Sequence, residues 1–113
     1  MSETINWQDF SKVELTVGTI IEAANFVEAK KPAYLLKIDF GETIGIKKSS
    51  AQITVNYSCD QLVGRQIIAV TNFPPKQIGP IMSECLVTGF YQQDASVVLA
   101  AVESKVPNGS RLV

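Results

Sequence analysis

The chain has no histidine at any of its 113 positions. That removes Ser–His and Cys–His nucleophile pairs and the one side chain that exchanges protons near neutral pH. Cysteine is nearly as scarce. Cys59 and Cys85 lie far apart with no C-x-x-C spacing, and two thiols without histidine do not make a four-ligand zinc set. Cys85 sits in an apolar run and reads as a buried small hydrophobe, and both thiols are expected to be reduced. No apolar run approaches the roughly 18 residues that span a bilayer, so membrane insertion is not expected. The opening Met1–Asn6 lacks a basic stretch followed by an apolar one, so no secretory signal is read and a cytoplasmic location is the expectation. The glycines form no phosphate-cradling loop of the Walker or dinucleotide type, and no carboxylate–lysine pair falls in a catalytic motif. The chain therefore reads as a non-enzymatic protein that needs no cofactor.

Excess charge is also missing, since the formal net charge is −1. Its distribution is uneven. Residues 1–29 are acidic on balance, whereas residues 30–76 carry Lys30, Lys31, Lys37, Lys47, Lys48, Arg65 and Lys76 against three acids. These cations either form one electropositive face or lie scattered as solvated side chains round the surface.

What is present is a succession of short strands. Asn6 to Lys12 has the spacing of a helical turn, with Trp7 and Phe10 on one side. Val13 to Asn25 is rich in strand formers, and Gly18 within it predicts a bend or bulge. Tyr34 to Phe40 alternates, with Leu36, Ile38 and Phe40 inward and Lys37 and Asp39 outward. A third strand is expected around Gly45 to Ser49, where Lys47 and Lys48 point to opposite faces. Ser58 or Asp60 caps a short helical insertion that ends at Gly64. Arg65 to Thr71, Ser83 to Phe90 and Val97 to Val102 supply further strands, and Pro107-Asn108-Gly109 a turn. The order predicts one all-β domain, a five- or six-stranded barrel with a helical insertion between strands three and four.

The stretch Asn72-Phe73-Pro74-Pro75-Lys76-Gln77-Ile78-Gly79-Pro80-Ile81-Met82-Ser83 stands out. Its three prolines exclude a helix or a central strand. Phe73, Ile78 and Ile81 either fold back over the end of a barrel or present a contact surface.

Gly64-Arg65, Asn72-Phe73-Pro74-Pro75 and Ser83 resemble the signature of the tRNA-binding domain family. These are small OB-fold modules found alone or attached to methionyl- and phenylalanyl-tRNA synthetases. Where the family pattern has Ser-x-Gly-Met, this chain reads Ser83-Glu84-Cys85-Leu86. Phe10 to Ile20 resembles the family's opening strand, and Ile38-Asp39-Phe40-Gly41 with Ile46 to Ile53 resembles the branch of CsaA-type export-related chaperones. The likeness runs from about Asp9 to Val113, one domain preceded by the helical turn. It implies a five-stranded Greek-key OB-fold barrel with extra C-terminal strands, assembled as a homodimer.

For tRNA contact the resemblance and the basic middle together indicate Lys31, Lys47, Lys48, Asn72, Pro75, Lys76 and Ser83, with Lys47-Lys48-Ser49-Ser50 combining ammonium groups and hydroxyls suited to phosphate. For unfolded or pre-secretory polypeptides the indicated residues are Phe73, Pro74, Ile78, Ile81 and Met82, with methionine as the adaptable element. The implied function is an export chaperone that also binds tRNA. The alternative is a tRNA-binding protein acting in trans for a synthetase.

Overall fold

The computed structural model describes residues 2–113. Its element order is α1 (Trp7–Ser11), β1 (Leu15–Asn25), β2 (Tyr34–Asp39), β3 (Ile46–Ala51), α2 (Cys59–Leu62), β4 (Gln66–Val70), β5 (Lys76–Ile78), β6 (Ile81–Ser83), β7 (Leu86–Val87), β8 (Gly89–Tyr91) and β9 (Val97–Leu99). One five-stranded antiparallel sheet runs β3-β2-β1-β4-β7, and the pairs β5-β6 and β8-β9 stand apart from it. Three hairpin-connected strands with the fourth returning beside the first make a Greek key. The sheet curls into a nearly closed OB-fold barrel, as the sequence predicts.

Closure comes from Ser83 to Cys85 running along the outer edge of β3. The Glu84 amide donates to Lys48 O at 2.8 Å, the Lys48 amide to Glu84 Oε1 at 2.9 Å, and Ser49 Oγ to Cys85 O at 3.1 Å. Inside, Ile20, Leu36, Ile38, Phe40, Leu62, Ile67 and Ala69 are fully buried. Each of the larger ones contributes roughly 1.5–3 kcal/mol by leaving water.

The predicted helical insertion is α2. Ser58 is its N-cap: Ser58 Oγ accepts the Gln61 amide at 3.4 Å and Gln61 Oε1 accepts the Ser58 amide at 3.1 Å. This reciprocal pair satisfies two helix-end donors. Gly64 leaves the helix at φ 92°, a conformation glycine adopts without strain, and its amide bonds Ile20 O at 2.8 Å. That short connection seats Leu62 in the barrel core.

Four details differ from the sequence reading. The bulge in β1 is not at Gly18 but between Ile20 and Glu22, where the register against β2 shifts. Gly18 instead marks a close approach: a Cβ there would lie 2.6 Å from Ile38 Cγ2 and from Phe40 Cδ1. The stretch after Asn72 is not a plain loop, because Lys76–Ile78 and Ile81–Ser83 pair as a hairpin. Its two-residue turn is Gly79-Pro80, with Gly79 at φ 56° in the positive-φ position that primed turns require. The run from Ser83 to Phe90 is not one strand but parts of β6, β7 and β8, because after Cys85 the chain pairs first with β4 and then with β9. The extra C-terminal strand is an irregular ribbon along β1, held by bonds from Val17 N to Ser110 O, Gly109 N to Val17 O and Leu112 N to Leu15 O, each 2.8 Å.

Candidate functional site

The β5-β6 hairpin leans over the Ser83–Leu86 segment and leaves a cleft of about 290 Å³ beneath Phe73. Its walls are Phe73, Pro74, Lys76, Ile78 and Ser83, joined by Ser50, Cys85 and Leu86. Five of the residues indicated by the sequence thus meet in one concavity. Phe73 stays about half exposed over a mostly apolar interior, an arrangement suited to an adaptable hydrophobic contact. Ser83 is buried, and its Oγ accepts the Ser50 amide at 3.2 Å, so its hydroxyl oxygen anchors β3 to the hairpin. Cys85 packs into the core, and burial pushes its thiol up to about 11. Cys59 and Cys85 are not bridged.

The other indicated residues surround the cleft without lining it. Pro75 is exposed beside it, Met82 is exposed on the hairpin, and Ile81 is half-buried opposite Ile78. Asn72 is occupied structurally. Its Nδ2 donates to Lys12 O at 2.6 Å and its Oδ1 accepts the Glu14 amide at 3.0 Å. Lys31 is exposed on the β1–β2 loop, and that loop approaches the hairpin tip, with Phe26 Cζ 3.5 Å from a Cβ placed on Gly79.

Lys47 and Lys48 face opposite ways, as the strand period dictates. Lys47 pairs with Ile38 on the core-facing side and is half-buried. Lys48 is exposed and pairs with Lys37 on the outer face. Among the described residues the only ion pair is Lys37 Nζ to Glu22 Oε2 at 2.9 Å, which leaves Lys48 and Lys76 without a carboxylate partner there. With Lys37 held by Glu22, Lys48 on the outer face and Lys76 at the cleft rim are the cations this side leaves without an ion pair. Among the described residues no cluster of candidate metal ligands occurs, and no helix is long and apolar enough to cross a membrane.

A second groove, about 450 Å³, was not anticipated from the sequence. It runs between Ser50–Ile53 and Leu86–Tyr91, and Ser50 and Leu86 also line the first cleft. Its sequence signal is Gly89-Phe90-Tyr91, two adjacent aromatics with no polar alternation, both well exposed.

A small Greek-key barrel with an apolar cleft and a cationic rim defines a binding domain of the OB-fold type. The chain belongs to the family described as "Putative tRNA binding domain", which matches residues 15–111. It is similar to the crystal structure of the chaperone CsaA from Bacillus anthracis, with 44% identity and a TM-score of 0.92 over 98% of this chain and 100% of that one. The CsaA chaperone protein from Picrophilus torridus is similar at 50% identity and a TM-score of 0.90, over 97% and 100% of the two chains. Among longer proteins, the methionine–tRNA ligase of Porphyromonas gingivalis is 28% identical over 112 residues. These cover 99% of this chain but only 16% of that ligase.

Proposed function

We propose that the protein is a non-enzymatic, cytoplasmic homodimer that holds unfolded or pre-secretory polypeptides and also binds tRNA. The observation that carries the polypeptide reading is the cleft under Phe73, apolar inside and rimmed by an unpaired Lys76. The likeness to two CsaA chaperones over nearly the whole of each chain supports it. Membership of the tRNA-binding family and the outer-face pair Lys37/Lys48 support the tRNA capacity. In this reading Phe73, Pro74 and Ile78 receive apolar client side chains, with Ile81 and Met82 extending the surface along the hairpin. Lys31, Lys47, Lys48, Pro75, Lys76 and Ser83 supply the polynucleotide contacts, and Asn72 sets the position of the proline loop.

The alternative, a tRNA-binding protein serving a synthetase in trans, is favoured by one observation: the matching region occurs within methionine–tRNA ligases. Two titrations on the same preparation separate the readings. Phe73→Ser is expected to impair capture of a fluorescent unfolded polypeptide while leaving tRNA affinity intact. A parent that binds tRNA tightly but captures no unfolded polypeptide selects the synthetase partner reading, and unchanged capture in Phe73→Ser removes the cleft as the polypeptide site.

A further inference from the structure

The second groove has a feature the cleft lacks: one wall is the free edge of a β-strand. Among the described residues β8 pairs only with β9, through Gly89–Leu99, Phe90–Val98 and Tyr91–Val97. The phase of this pair is fixed by the bonds that bracket it, Gln92 N to Ser96 O at 2.8 Å and Ala100 N to Thr88 O at 3.1 Å. In an antiparallel ladder the backbone groups face the partner at every second residue. Phe90 therefore faces β9 in step with Thr88 and Gln92, whereas the N–H and C=O of Gly89 and Tyr91 point away. Gly89 and Tyr91, which carry these four groups, line the groove together with Phe90 and Val97, and β8 is exposed along its length.

We propose that an extended polypeptide segment binds by adding a strand to the free edge of β8. It would lie in the groove against Ser50–Ile53, with an acidic side chain or terminal carboxylate at the end next to Lys76. This deepens the polypeptide-holding reading and rests on it. Main-chain hydrogen bonds give such binding affinity without demanding a sequence, and alternate side chains meet the groove walls. Charge fixes the chemistry of the occupant. Among the described residues no lysine or arginine lines the 450 Å³ groove, so a polynucleotide backbone finds no counter-charge there. Lys76 is the only charged residue lining the adjoining cleft, and among the described residues it has no carboxylate partner.

The test uses the intact protein and a labelled ten-residue peptide of alternating valine and serine ending in aspartate. Two further versions carry N-methyl groups on alternate amides, one in each phase. Strand addition predicts that one phase weakens binding about tenfold or more and the other by less than about twofold. Tyr91→Pro removes a donor that faces the groove and not β9, so it should weaken the parent peptide comparably while the thermal midpoint stays close to the parent's. Lys76→Gln should abolish the preference for the aspartate end over an asparagine end.

Equal effects of both methylation phases, with the parent peptide still bound, would overturn strand addition and leave the polypeptide reading standing. A parent peptide that does not bind, together with no capture of unfolded polypeptide, would bring down both. Dissociation of a dimer on Tyr91→Pro in sedimentation analysis would assign the edge to a second copy and overturn the proposal.

Discussion

Asn72 binds the backbone on both sides of Val13: its Nδ2 donates to Lys12 O at 2.6 Å, and its Oδ1 accepts from the Glu14 amide at 3.0 Å. The residue at the head of the proline loop is thereby clamped to the turn between α1 and β1. The neighbouring Thr71 bonds the same turn, since its amide reaches Glu14 O at 3.0 Å and its hydroxyl meets Thr16 Oγ1 at 3.0 Å. The cleft inherits its rigidity from this tether, because Phe73 and Pro74 follow Asn72 directly.

Asn72→Ala removes both bonds and leaves a backbone carbonyl and an amide to find water. A loss of about 1–2 kcal/mol in denaturant unfolding is expected, the cost of two ordinary hydrogen bonds at an exposed site. Because the tether orders the wall of the cleft, polypeptide capture should fall as well. Asn72→Asp keeps the acceptor for Glu14 but turns an anionic oxygen toward the Lys12 carbonyl, to which Nδ2 donates at 2.6 Å, so it too should be less stable than the parent. Equal stability of all three proteins would show that the clamp contributes nothing.

Two glycines make a paired prediction about the barrel. A Cβ on Gly18 would meet Ile38 Cγ2 and Phe40 Cδ1 at 2.6 Å, both parts of fully buried side chains that cannot yield easily. Gly18→Ala should cost about 1–3 kcal/mol through overpacking. At Gly45 a Cβ meets nothing within 4 Å, but φ is +84°. Gly45→Ala should cost about 1 kcal/mol, from backbone strain alone. Thermal unfolding separates the two causes when Phe40→Leu is added. The smaller side chain should partly relieve Gly18→Ala and leave the cost of Gly45→Ala unchanged.

The elements differ in how legible they are in the sequence, for physical reasons. Leu36, Ile38 and Phe40 alternate with Lys37 and Asp39 on a half-buried strand, and the same period sends Lys47 and Lys48 to opposite faces. The α2 insertion is legible because Ser58 and Gly64 carry local end signals. The β5-β6 hairpin is not, since three-residue strands flanked by prolines show no period. Gly18 points to the wrong place for the bulge at Ile21 because a glycine in a strand signals close approach as readily as a kink. Most of the cleft is legible, as Phe73, Pro74, Lys76, Ile78 and Ser83 lie in one segment. Ser50 joins them only through the pairing of β3 with the hairpin stem, and Gly89–Tyr91 meet Ser50–Ile53 only because the barrel closes there.

Cys85 gives the barrel a pH dependence in the alkaline range. Burial raises its thiol from 9.0 to about 11, outweighing the Ser49 hydrogen bond and the Lys47 charge, both of which favour the thiolate. A raised folded value means that the native state holds the proton more tightly than the unfolded chain. Its contribution is fully present below about pH 9 and is lost as pH rises toward 11. The loss should reach about 2–3 kcal/mol, because each tenfold gain in proton affinity on folding is worth about 1.4 kcal/mol. In urea titrations from pH 8 to 11, Cys85→Ala should be less stable at pH 8 but lack this part of the decline. A Cys85→Ala protein with the parent's slope would place the pH dependence elsewhere.

Lys48 is where a charge change should act on polynucleotide binding alone. Its neighbour across the strand is Lys37, which already holds Glu22, so like charges lie side by side on the outer face. Lys48→Glu sets a carboxylate beside Lys37, which already holds Glu22, and near Glu84, whose Oε1 accepts the amide of residue 48, so stability should change little. If the outer face contacts tRNA phosphates, affinity should fall and the slope of log K against log salt should shrink by about 1, the signature of one lost phosphate contact. Lys47→Glu behaves differently, because Lys47 is half-buried on the core-facing side. That variant should lose stability as well as tRNA affinity, so its binding is read where the melt shows it folded. Anisotropy titrations with bulk tRNA between about 50 and 200 mM salt, run beside urea melts of both variants, separate these effects. An unchanged salt slope in Lys48→Glu, with the parent still binding tRNA, would remove the outer face of β2 and β3 from the RNA interface. The contact would then have to come from Lys31 and Lys76 beside the hairpin.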